Sequence, residues 1–169
     1  AMGGVVKGYD LEKFLMKNLQ AKTFSELSVP FVAVTTDLTT GETFPIASGP
    51  IPPAILASSA VPSVVKPVRL YGRVLVDGGV ADNVPVDIAR TYHPKIIIAV
   101  DIGTKLSDDM PHSAFGIAAR SYEITSDRLT HMQLADTDFV IHPDVGQVGM
   151  FDLSHSLDLV HSGQRAAYD

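Results

Sequence analysis

Val76-Asp77-Gly78-Gly79-Val80-Ala81-Asp82-Asn83-Val84-Pro85-Val86 ends one element and opens the next around a single carboxylate. The residues just before it, Val74-Leu75-Val76, are apolar and β-favouring and predict a strand that carries Asp77 to its carboxyl end. Open α/β sheets place their sites at that edge. Gly78 and Gly79 carry no Cβ, so the backbone can turn sharply and come close to a neighbour. Asn83 can cap a short helix over 85–91, or brace the Asp77 loop through its side-chain amide. A carboxylate is a weak base unless it is buried and poised, and the apolar run before Asp77 supplies such surroundings. Taken alone, Asp-Gly-Gly reads as a common structural turn at a strand end, ahead of any catalytic role.

Upstream, Ala57-Ser58-Ser59-Ala60-Val61-Pro62 is a small-residue segment that a proline stops. Pro52 and Pro53 fit the first turn of a helix that runs through Ala60 and ends near Pro62. Asp10 is placed to cap an earlier helix with Leu11, Phe14, Leu15 and Leu19 at helical spacing. Phe31-Val32-Ala33-Val34 predicts a strand buried on both faces, with 39–42 as a turn and 43–47 as its returning partner. Tyr71-Gly72 marks a second tight hairpin between 68–70 and 74–77. Further on, 95–101 is the clearest strand, 112–135 has helical spacing, 139–142 is a short strand and 154–167 a closing helix. Strands alternating with helices predict an α/β fold with a mainly parallel sheet, helices on both faces and antiparallel hairpins at one end. No interdomain linker is visible, so residues 1–169 read as a single unit. Ala1 and Met2 carry no weight in this reading.

With 169 residues and 46% hydrophobic content the chain can bury a core. Its formal charge of -6 is scattered, which argues against nucleic acid and against a polybasic membrane anchor. The longest apolar run, Ile96-Ile97-Ile98-Ala99-Val100, is too short to span a bilayer. The sequence contains no cysteine, which removes disulfides and thiolate metal sites and fits a reducing compartment; cytoplasm is the default location, with export as an effector compatible. A metal-dependent hydrolase would have to draw on Asp136, Asp138, His142 and Asp144, where no zinc or calcium spacing is present. No metal site is therefore expected. Met150 and Phe151, after Gly146 and Gly149, could line an acyl groove or anchor the last helix.

The order Ala-Ser-x-Ala-x-Pro, hairpin with Tyr71-Gly72-Arg73, Asp-Gly-Gly, Asn-x-Pro, then a strand ending in Asp101-Ile102-Gly103 resembles the second half of a patatin-like phospholipase domain. The likeness runs from about Tyr9 to the C-terminal helix. It implies a partial three-layer patatin-like fold and an acyl ester hydrolase with a serine–aspartate dyad, in which Asp77 matches the aspartate that takes the serine proton directly. Gly78 and Gly79 would shape its loop, and Ser58, Ser59, Pro62 and Asn83 would support the cleft. No Gly-x-Ser-x-Gly occurs in these residues. Neither Ser58 nor Ser59 sits in the strained strand-to-helix turn that exposes such a nucleophile, so both are expected to pack a helix end. The chain is accordingly expected to be the C-terminal portion of the domain and inactive alone. No cofactor is implied. The implied partners are a lipid or small ester, a membrane surface, and the first half of the domain or a second copy of the chain against an exposed sheet surface. The alternative is a non-catalytic binding or assembly module that keeps the same scaffold.

Overall fold

In the computed structural model the described residues are 8–103, 106, 109–146, 148 and 153–168. They form two units, Ala1–Asn83 and Val84–Asp169. The first unit holds helix α1 (Gly8–Asn18), strands β1 (Ala33–Asp37) and β2 (Thr43–Ile46), helix α2 (Ile51–Ser58), and strands β3 (Val68–Leu70) and β4 (Arg73–Asp77). Asp10 falls within the bounds of α1, not at the cap position that the sequence suggests.

The four strands make one sheet in the order β2-β1-β4-β3, and every pairing in it is antiparallel. This corrects the expectation of a mainly parallel sheet. A parallel connection needs a long crossover, whereas two-residue turns can join only antiparallel neighbours. Tyr71 and Gly72 both have positive φ (52° and 74°). That is the conformation of a two-residue hairpin turn whose twist matches its strands. The Tyr71 hydroxyl secures the turn by donating to the Ser48 carbonyl at 2.9 Å.

Register assigns the faces. Ala33 opposes Ile46, Thr35 opposes both Phe44 and Asp77, and Leu75 lies between Asp37 and Val68. Residues directly opposite share a face, so Ala33, Thr35, Leu75 and Asp77 look the same way. α2 covers that face, since Ile51, Ala54 and Ala57 form one core with Phe24, Ala33, Ile46 and Leu75. Leu75 is wholly buried, which stabilises the unit by about 1.5–3 kcal/mol relative to an exposed side chain. β1 starts at Ala33, later than the sequence suggests. Phe31 precedes it, exposed, with its ring stacked on Phe24 at 5.7 Å between centroids.

An ion pair ties the first hairpin to β4. Arg73 Nη1 lies 2.7 Å from Asp37 Oδ2, and its guanidinium sits 4.6 Å from the centre of the Phe44 ring. The Thr39 backbone N–H, and after it Arg73, hold the Asp37 carboxyl below the usual carboxylate range despite its burial.

The second unit holds α3 (Val86–Arg90), β5 (Ile98–Val100), α4 (Ala114–Leu134), β6 (Phe139–Ile141) and α5 (Ser156–Tyr168). β5 and β6 pair in parallel, and α4 is the crossover that permits it. α4 starts at a side-chain cap, with Ser113 Oγ accepting from the Gly116 N–H at 3.0 Å. Ile98 and Val100 are 58% and 55% exposed, while Ala99 between them is buried. Phe139, beside Ile98, is 60% exposed on the same face. Among the described residues, no helix is long and apolar enough to cross a membrane.

Candidate active site at the end of beta-strand 4

β4 carries Asp77 past Val76, the last buried residue of the strand, and the chain turns at once into a single 3-10 turn, Gly78–Val80. Asp77 caps that turn: its Oδ1 accepts the Gly79 N–H at 2.8 Å. On the main chain, the Asp77 N–H donates to the Ala60 carbonyl at 3.1 Å, which ties the strand end to the segment leaving α2. The carboxyl is half-buried. Burial pushes its pKa above the ordinary carboxylate value, and the Gly79 N–H opposes part of that rise. A carboxyl held high by desolvation is a stronger base, once ionised, than one free in water.

Gly78 is required by contact. A Cβ built there would lie 2.5 Å from the Val34 carbonyl oxygen and 2.9 Å from its carbon. The same carbonyl accepts the Ser58 hydroxyl at 2.7 Å. Ser58 thus fastens the end of α2 to β1, beside the loop that bears Asp77, with its proton committed to a backbone acceptor. Ser59 is exposed at the helix end, where its N–H donates to the Ile55 carbonyl at 2.9 Å. Pro62 is exposed beyond it.

Asn83 is exposed, and α3 begins later, with Pro85 in the cap position and no side-chain cap. The expected Asn83 cap is thereby corrected. Pro85 fixes the backbone entering the helix, and the Val84 N–H is taken by Gln133 Oε1 at 2.9 Å. One contributor escaped the sequence altogether. Thr36, on β1 and fully enclosed, donates its hydroxyl to the Gly78 carbonyl at 3.3 Å. Those two residues are 42 positions apart, so no local pattern could have paired them.

The acidic residues toward the C-terminus point to separate partners. Asp136 pairs with Arg90 at 3.3 Å, Asp138 accepts the Ile97 N–H at 2.7 Å, and Asp144 accepts the Gly146 N–H at 3.1 Å. His142 Nδ1 lies 3.2 Å from Asp101 Oδ2. Among the described residues no three such groups come together in a way that could hold a metal ion. Met150 and Phe151 lie outside the described residues.

A family model described as patatin-like phospholipase matches residues 1–90, which include β4, Asp77 and both glycines. The chain is 38% identical over 77 residues to an NTE family protein of Mycobacterium tuberculosis, covering 46% of this chain and 21% of that protein. It is 30% identical over 91 residues to patatin-like phospholipase domain-containing protein 7 of Rattus norvegicus, covering 53% and 7%. To patatin-like phospholipase domain-containing protein 6 of Mus musculus it is 27% identical over 143 residues, covering 83% and 10%. The chain thus spans about a fifth or less of the length of these relatives. With more than half of its residues matched by the family model, the chain belongs to the patatin-like phospholipase family.

Proposed function

We propose that this chain is the aspartate-bearing part of an acyl ester hydrolase acting on lipid, and that Asp77 is the general base of its serine–aspartate dyad. The observation that carries this reading is a half-buried carboxyl, raised by desolvation, at the strand end where the family has Asp-Gly-Gly. Oδ1 is engaged by Gly79, which directs the serine proton to Oδ2. The serine oxygen then bonds to the ester carbonyl carbon, and the protonated Asp77 returns its proton to the departing alcohol. Asp77 next takes a proton from the water that attacks the acyl carbon, and returns it to the serine oxygen as the acid leaves. No Gly-x-Ser-x-Gly is present in residues 1–169. The nucleophile and the backbone donors for the oxyanion are therefore assigned to a segment outside them, and the isolated chain to inactivity. The chemistry needs no metal or organic cofactor. Lipid or small esters in the cytoplasm, met at a membrane surface, are the substrates this reading implies.

A fluorophosphonate that modifies activated serines tests the assignment. The full natural polypeptide is expected to be labelled and the 169-residue chain to stay unlabelled. Ser58→Ala is expected to leave labelling of the full polypeptide unchanged while lowering stability by about 1 kcal/mol, the net worth of one hydrogen bond. Urea unfolding measures the second effect. A label found on Ser58 or Ser59 contradicts the reading.

The exposed apolar face of β5 and β6 favours cover by another protein segment, since contiguous exposed apolar surface marks association sites. The isolated chain is expected to self-associate, with light scattering showing species larger than 18.1 kDa at high concentration. A strictly monomeric chain would refute this.

A further inference from the structure

The Gly78 carbonyl and the Gly79 N–H belong to one peptide plane, and a trans peptide is rigid, so its two ends move together. One end donates to Asp77 Oδ1 at 2.8 Å. The other accepts three donors: the Asp82 N–H at 2.8 Å, the Ala81 N–H at 3.1 Å and the Thr36 hydroxyl at 3.3 Å. The first two come from the turn itself and would travel with it. Thr36 alone of the three is anchored in the sheet, on the inner strand β1, opposite Val76. It is 2% exposed, so its hydroxyl is held away from competing water.

We infer that Thr36 is a positioning residue for Asp77, acting through the Gly78–Gly79 peptide. Its hydroxyl fixes the rotation of that plane relative to β1. The opposite N–H then fixes which carboxylate oxygen of Asp77 is occupied and which is free. Donation into the carbonyl also polarises the peptide and strengthens the N–H as a donor. Thr36 touches neither a substrate nor the reacting atoms. The inference rests on Asp77 being the base, yet it is testable without any hydrolysis.

The experiment is NMR on the full natural polypeptide, which also carries the hydrolysis assay, with the Asp77 carboxyl carbon and the Gly79 amide labelled selectively and followed through a pH titration in wild type, Thr36→Val and Thr36→Ser. Thr36→Val keeps the side-chain shape and removes the hydroxyl. It is expected to shift the Gly79 amide proton upfield and to raise the Asp77 titration midpoint, because a bond that favours the ionised form is weakened. Thr36→Ser is expected to match wild type. A folded Thr36→Val with wild-type Gly79 shift and Asp77 midpoint overturns the inference. Should Thr36→Val not fold, Thr36→Ala gives the same comparison. The wild type adds a check of its own: the Thr36 hydroxyl proton must be visible in slow exchange, and its absence also overturns the inference. Loss of hydrolysis in Asp77→Asn but unchanged NMR in Thr36→Val refutes the positioning role alone. Intact hydrolysis in Asp77→Asn refutes the base itself.

Discussion

Asp77→Asn in the full natural polypeptide is expected to lower ester hydrolysis by about 10²–10⁴-fold, the usual worth of a positioned general base. Stability should move the other way. The folded Asp77 carboxyl titrates above its unfolded value, so the folded state binds more protons between the ordinary carboxylate range and that raised value. Folding stability therefore falls as pH rises through that window, and ionised Asp77 is a cost at neutral pH. Asparagine cannot ionise, and its side-chain oxygen can still accept the Gly79 N–H. The variant is expected to melt at or above the wild-type temperature at pH 7, and to lose the decline in stability across the acid window. Steady-state kinetics and thermal unfolding across pH measure the two halves. A variant both inactive and strongly destabilised would mean that Asp77 serves the fold alone.

Gly78→Ala is expected to be the most damaging single methyl group in the first unit. The new carbon would sit 2.5 Å from the Val34 carbonyl oxygen. That oxygen is backbone of the inner strand β1 and is also held by Ser58, so it cannot swing aside as a flexible side chain would. Overpacking typically costs about 1–3 kcal/mol, and the upper end applies where backbone must move. For a unit of this size the melting temperature should drop by roughly 12–24 °C. The turn should also pull Asp77 off Gly79, so activity falls further than stability explains. Calorimetry and kinetics on the same variant check both. A variant as stable as the wild type would show that the loop relaxes freely and that Gly78 is no constraint.

The elements were legible in the sequence because their signals are local. Pro52, Pro53 and Pro62 bracket α2, Tyr71-Gly72 marks a hairpin, and the isoleucine run marks β5. Strand direction was not legible. Alternation of strands and helices favoured a parallel sheet, but β4 reaches β1 across α2 and pairs with it antiparallel. Nothing in either strand encodes that direction; it follows from where the chain lies after α2. The site divides in the same way. Asp77 and its glycines are contiguous and could be read as a motif, with the close approach at Gly78 anticipated from its missing Cβ. What supports them is distant in sequence: Ser58 to Val34 across 24 residues, Arg73 to Asp37 across 36, Thr36 to Gly78 across 42. Asn83 misled because its type suits a cap, while Pro85 occupies that position.

The most direct measurement is the rate of fluorophosphonate labelling of the full natural polypeptide as a function of pH, in wild type and in Asp77→Asn. With Asp77 as the base, the wild-type rate rises along a single limb whose midpoint lies above the ordinary carboxylate range, and in Asp77→Asn the limb is gone and the rate stays low throughout. A wild-type limb that persists unchanged in Asp77→Asn would contradict the assignment and place the base elsewhere.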